Sequence, residues 1–132
     1  MILGIGTDLV PIVRIEQAMN RFEDRFARRV FTGAEQSLCG SRKSSAACFA
    51  KRFAAKEALV KALGQGIRQG IWFTDVETLN DDVGKPLMTL SGEAERRLQA
   101  ILLACHCSVA TIHVTLADDG GFALAYVILE GR

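Results

Sequence analysis

FAKRFAAKEALVKALG, running from Phe49 to Gly64, is the stretch whose conformation decides what this chain can be. Its residues are mostly strong helix formers, no proline interrupts it, and Gly64 stands where a left-handed C-terminal cap is needed, so a helix is predicted. At about 100° per residue, Phe49, Phe53, Leu59, Val60 and Leu63 gather on one side as a core face. On a neighbouring stripe Glu57 and Lys61 stand one turn apart, flanked by Ala50 and Ala54, whose small side chains would let a ligand come close. Two readings of that stripe are open. It is an ordinary helical ion pair, worth about a few tenths of a kcal/mol, or it is the polar edge of a site.

The remainder of the chain sets the frame for that helix. Its 132 residues suffice for one domain, residues 1–132, that buries roughly two-thirds of its unfolded surface. With 49% hydrophobic and 23% charged residues and a net charge of +1, it is neither a disordered chain nor a generally cationic coat for nucleic acid. Charge is uneven, however. Between Arg42 and Arg68 lie Arg42, Lys43, Lys51, Arg52, Lys56, Lys61 and Arg68 against the single acid Glu57. Such a cluster is either a site for an anion or a solvated basic face. No apolar run is long enough to span a membrane and no signal-peptide pattern opens the chain, so a cytoplasmic protein is expected. Cys39, Cys48, Cys105 and Cys107 are expected as free thiols, since the C-H-C around His106 lacks the usual spacing of a zinc site.

The order of elements follows from periodicity. MILGIGTDLV (1–10) reads as a buried strand in which Gly4 and Gly6 permit a backbone or a ligand to approach. Asp8, set in that apolar strand, needs a hydrogen bond, a counter-charge or a metal. G-I-G does not complete a dinucleotide fingerprint, because Leu9 occupies the third glycine position. Pro11 suits a first helical turn, followed by Ile12, Ile15, Met19 and Phe22 at helical spacing; Phe26, Val30 and Phe31 continue the pattern and leave Arg21, Arg25, Arg28 and Arg29 outward. Thr32 and Glu35 have capping-box spacing ahead of a short helix that breaks near Gly40. GQGIRQG (64–70) reads as a glycine-punctuated loop. Trp72 to Leu79 reads as a strand, 80–86 as its turn and Leu87 to Leu90 as the return; a helix capped by Ser91 follows, then a hairpin of Val109–Ala117 and Phe122–Leu129. His113 falls on the polar side of its strand. The predicted fold class is α+β, an antiparallel sheet packed on one face against helices.

Asp8 and Glu57 are the pair of hard oxygen donors that Mg²⁺ needs when phosphates and waters complete its shell, and Lys61 one turn on can neutralise a phosphate. With these residues the chain resembles the holo-[acyl-carrier-protein] synthases, the short bacterial 4′-phosphopantetheinyl transferases. The resemblance rests on GIGTDLV (4–10), FAKRFAAKEALVKALGQGI (49–67), GKP (84–86) and IHVTLAD (112–118). It implies Mg²⁺-dependent transfer of phosphopantetheine from coenzyme A to a serine of apo acyl carrier protein, in support of fatty acid biosynthesis, by a homotrimer with active sites at subunit interfaces. On the matching positions it implies Asp8 and Glu57 as metal ligands and Lys61 as the balancing cation; as no other acid sits in a matching motif, Glu57 through a metal-bound water is the candidate base. Arg52, Gly64 and the turn Gly84, Lys85, Pro86 would lie near the nucleotide end, His113 near the pyrophosphate or the metal's waters, and Arg14 would dock the carrier protein. The family's last motif often ends in a histidine or serine where this chain has Asp118, which is given no role. A phosphohydrolase using the same carboxylates and a non-catalytic nucleic-acid module are the competing readings; the acids at 8 and 57 argue against the second.

Overall fold

The computed structural model describes residues 1–22, 24–64 and 70–132. Strand β1 (Ile2–Pro11) leads into α1 (Ile12–Phe22), α2 (Asp24–Val30), α3 (Gly33–Gly40) and the long α4 (Ser45–Ala62). The 3-10 turn Phe73–Asp75 leads into β2 (Val76–Asn80), β3 (Pro86–Leu90), α5 (Gly92–Ala104), β4 (Ala110–Asp119) and β5 (Phe122–Gly131). The α+β expectation holds, with one difference. Instead of one sheet the described residues form two: an antiparallel sheet in the order β1-β5-β4 and a separate β2-β3 hairpin. Among the described residues no helix is long and apolar enough to cross a membrane.

Boundaries move where side chains or backbone partners intervene. Pro11 ends β1 opposite Phe122 rather than opening the helix, which an edge strand tolerates because it needs no inward N–H there. Helix α4 starts at Ser45, four residues ahead of Phe49, and Gly64 takes the left-handed conformation (φ 78°) foreseen for its cap. Trp72 to Asp75 is not strand: the Asp75 carboxylate accepts the Trp72 N–H (3.1 Å) and curls the chain before Val76. The capping box at Thr32 and Glu35 forms as read. The loop expected at 64–70 falls largely outside the described residues.

Helix α4 is buried on nearly every side, including Ala50 and Ala54, so those alanines serve packing and not ligand approach. The reason is backbone proximity. A Cβ added at Gly4 would stand 2.0 Å from the carbonyl oxygen of Ala62, and one at Gly6 1.8 Å from that of Ala58, so only glycine lets β1 lie against this helix. Phe49, Leu59, Val60 and Leu63 are buried as read from the periodicity, and Phe53 stacks on Phe73 with ring centroids 5.7 Å apart.

One contact contradicts the expected thiols. Cys39, at the end of α3, is disulfide-bonded to Cys48 in the first turn of α4, with Cα atoms 5.3 Å apart; Cys105 and Cys107 are free. Folding α3 back on α4 brings together two cysteines that the sequence separates by nine positions, a proximity that spacing does not reveal.

On the flank of α4 facing the hairpin, Lys56 is fully buried. Its Nζ donates to Glu35 Oε1 (2.7 Å), to the Phe73 carbonyl (3.0 Å) and to the Val76 carbonyl. Glu35, equally buried, also accepts the N–H groups of Thr32 (3.0 Å) and Thr78 (2.9 Å). Desolvation pushes the Lys56 pKa down, while Glu35 pulls it back up. Removing one member strands the other charge in the core. Lys56→Met is expected to cost about 3–5 kcal/mol of stability in urea unfolding, whereas truncating the exposed Lys61 should cost less than about 1 kcal/mol. Similar losses in the two variants would contradict the burial of this pair.

Candidate active site

Alternation along β1 puts Asp8 on the same face as Gly4 and Gly6, the face against α4. There the helix presents Glu57 and Lys61. Lys61 Nζ donates to Asp8 Oδ1 (3.2 Å) and to the Thr7 carbonyl (3.0 Å), so its hydrogen bonds cross to the strand instead of closing the helical pair with Glu57. With the lysine side chain 56% exposed and the aspartate 18%, this contact contributes little stability, and Lys61 is free to exchange it for a ligand's phosphate. Glu57 is half-buried, and its pKa is raised by desolvation first and by the neighbouring Asp8 second, against the opposing pull of Lys61 and Arg14. Two carboxylates that repel each other at a partly dry site are a donor set that a hard divalent cation relieves. Among the described residues no cluster of three or more ligating side chains exists, so waters and ligand oxygens would have to complete any shell.

The other candidate residues are held by partners outside this centre. Arg52 points toward the hairpin, buried, with Nε on the Thr78 carbonyl (3.3 Å) and Nη2 on Asn80 Oδ1 (3.0 Å). Asn80 pairs with Pro86 across that hairpin, and so Arg52 is tied to the turn carrying Gly84, Lys85 and Pro86. The turn itself is built on Asp81, whose carboxylate accepts the N–H groups of Val83 and Lys85 (both 2.9 Å), and Gly84 supplies the positive φ of 86°. His113 lies on the outer face of β4, half-exposed, with Nε2 3.7 Å from Glu130 Oε1, on the far side of the sheet from Asp8. Arg14 is exposed on α1, within electrostatic reach of Glu57. On α1 and α2, Arg21 stands over the Phe22 ring (5.3 Å), and Phe22, Arg25, Phe26 and Arg29 line a depression of about 350 Å³.

The basic cluster read from the sequence divides among the faces of α4. Arg52 and Lys56 turn inward, Lys61 goes to β1, and Lys51 pairs with Asp118 of β4 at 2.9 Å. What remains of the cluster is a cleft of about 400 Å³ lined by Arg42, Lys43, Ser44, Lys51, Arg52 and Asp118.

A family model described as the 4′-phosphopantetheinyl transferase superfamily matches residues 4–127, a span that holds Asp8, Glu57 and Lys61. The chain belongs to that superfamily. It is 49% identical over 98% of its length to a holo-[acyl-carrier-protein] synthase of Rhizobium rhizogenes, covering 96% of that protein. Among solved structures it is similar to the holo-[acyl-carrier-protein] synthase of Neisseria meningitidis, with TM-score 0.81 and 35% identity over 98% of this chain and 99% of the other. It is also similar to the Bacillus anthracis enzyme crystallised with coenzyme A (3′,5′-ADP), with TM-score 0.78 and 34% identity over 100% and 99% of the two chains.

Within this superfamily member, sequence reasoning missed Glu35, which looked only like a cap residue, and the pairing of Lys51 with Asp118. The first left a trace: a lysine beside Glu57 in an apolar helix needs a buried acid somewhere. The second left none, because strand and helix are far apart in sequence. The raised pKa of Glu57 gives a sign for its substitution. A carboxyl whose folded pKa is raised favours folding while protonated, and that contribution is lost as pH rises from the ordinary carboxylate value through the raised one. At neutral pH, ionised Glu57 is therefore a cost. In chelator, Glu57→Gln should melt at or above the parent's temperature, and added Mg²⁺ should stabilise the parent but not the variant. A variant that melts lower in chelator would show that the carboxylate is held by partners, not strained by Asp8.

Proposed function

We propose that the chain transfers the 4′-phosphopantetheine group of coenzyme A to a serine of apo acyl carrier protein, releasing adenosine 3′,5′-bisphosphate, as a cytoplasmic enzyme serving fatty acid biosynthesis. The observation that carries this reading is the convergence of Asp8, Glu57 and Lys61 on one face of β1 in a chain of this superfamily. In the reaction the serine oxygen attacks the phosphorus next to the pantetheine, the phosphoanhydride bond breaks, and the nucleotide leaves with the electron pair. Lys61, exposed and loosely held, would trade Asp8 for a phosphate oxygen and balance charge on the leaving group. Glu57, whose proton affinity burial raises, would accept the serine proton through a water. A Mg²⁺ ion on Asp8 and Glu57 would supply further neutralisation of the pyrophosphate. Arg52 and the turn Gly84, Lys85, Pro86, joined through Asn80, would border the nucleotide end together with Gly64.

The carrier protein, acidic by class, would dock on α1 and α2. Arg14 is the residue of that surface whose field reaches Glu57, which favours it as the contact nearest the acceptor serine. The division of the basic cluster speaks against a nucleic-acid ligand. Mass spectrometry of a bacterial apo carrier protein incubated with the chain, coenzyme A and Mg²⁺ should show one phosphopantetheine added, with none in chelator. Release of the bisphosphate without any carrier present would overturn the transferase reading in favour of hydrolysis.

The same reading includes a homotrimer. The outer face of the β1-β5-β4 sheet carries Ile5, Leu9, Leu124 and Tyr126 uncovered, with Leu9 60% exposed. Covering that face with another copy would also bring His113 toward a neighbouring protomer's phosphates. Light scattering is expected to give three times the chain mass, and Leu124→Glu should release monomers with little activity. A monomeric, fully active parent would refute the shared site.

A further inference from the structure

Asp118 is the position that motif comparison leaves without a role, and its placement is unusual for its strand. On β4 the side chains of Ile112, Val114 and Leu116 face the core, and the next inward position by alternation is Asp118. At the strand's end it meets Lys51 of α4 at 2.9 Å, inside the cleft formed with Arg42, Lys43 and Arg52. The cleft's guanidinium from Arg52 is already committed to Thr78 and Asn80, and its charge is opposed by burial and by the nearby Arg42. Lys51, 26% exposed, is thus an accessible ammonium whose counter-charge is supplied from within the protein.

We propose that Asp118 is a specificity-setting competitor in this basic cleft: it holds Lys51 until a phosphate monoester takes the lysine over, and so limits how tightly the cleft grips that phosphate. The inference rests on the proposed coenzyme A chemistry. The 3′-phosphate of coenzyme A is a monoester, and the bisphosphate product keeps it unchanged. Affinity for it is therefore felt equally by substrate, transition state and product; it lowers KM without raising kcat and slows product departure. A carboxylate within ion-pair distance of one of the phosphate-binding cations offsets that uniform grip, mainly by raising the dissociation rate. Because both partners are solvent-accessible, the exchange of one anion for another needs no rearrangement of the core.

Calorimetry with coenzyme A, 3′-dephospho-coenzyme A and adenosine 3′,5′-bisphosphate tests this. Asp118→Asn should tighten coenzyme A and the bisphosphate by about two- to tenfold, less at high salt, and leave dephospho-coenzyme A unchanged. Lys51→Met should weaken coenzyme A and, in the double variant, cancel the gain. In steady-state assays Asp118→Asn should lower KM for coenzyme A together with kcat. An Asp118→Asn variant that binds coenzyme A no more tightly, or that tightens both cofactors alike, overturns the proposal while leaving the transferase reading intact. Coenzyme A failing to bind the parent would overturn both. Dephospho-coenzyme A binding retained in every variant confirms that each one is folded.

Discussion

Two glycines in β1 and two helical carbonyls in α4 set the spacing on which the rest of the molecule depends. Gly4 and Gly6 leave no side chain between the strand and the helix, so the backbones touch where Ala62 and Ala58 pass. Any Cβ there would have to enter a carbonyl oxygen, and the strand would lift by more than an ångström. Asp8 is two residues beyond Gly6 on the same face, and Glu57 and Lys61 flank Ala58 on the same helix. The approach of carboxylate to carboxylate is therefore inherited from a backbone contact, not from the weak ion pair that happens to join Lys61 to Asp8. This is why Glu57 can be held close to another acid: the energy comes from buried alanines and glycines, and the site spends some of it.

The long helix also acts as a distributor of charge. A peptide of its sequence would show a cationic surface with one acid, yet in the fold each cation has a separate environment. Lys56 goes to Glu35 and two backbone carbonyls in the dry interior, Arg52 to the turn end of β2, Lys61 to β1 and Lys51 to β4. The interior pair fixes the 3-10 turn and β2 against α3 and α4, and Arg52 extends the same clamp one turn back along the helix. The disulfide between Cys39 and Cys48 closes the α3–α4 corner from the other side, bracketing the segment that carries Arg42 and Lys43. Of the lysines borne by α4 itself, Lys51 and Lys61 stay accessible to an anion.

Much of this was legible in the sequence because the relevant rules are local. The helix over 49–64, its glycine cap, the capping box at Thr32, the GKP turn and the alternation of β4 each follow from periodicity or from a residue type that one conformation requires. The pairing of Asp8 with the Glu57 stripe followed from chemistry, since an acid in an apolar strand and an acid on a buried helix each demand a partner. What stayed hidden depends on long-range proximity. Glu35 as the partner of Lys56, the Cys39–Cys48 bond and the Lys51–Asp118 contact join residues whose spacing carries no signal. The assignment of Ala50 and Ala54 to ligand approach failed for the opposite reason: small residues invite close contact, and the visitor turned out to be protein.

The sheet's plane imposes the last constraint. Residues alternate across a strand, so Asp8 on the helix face of β1 and His113 on the open face of β4 cannot converge within one chain. Sliding β4 by one residue would bring His113 inward, but it would also expel Ile112, Val114 and Leu116 from the core and place their polar neighbours there. The apolar run of β5 carries the same message. Ala123, Ala125, Val127 and Leu129 are consumed by the core, and yet Phe122, Leu124 and Tyr126 between them are apolar too and remain exposed. A strand apolar on both faces fits a sheet buried on both faces, and His113 stands on that second, exposed face, across the sheet from Asp8.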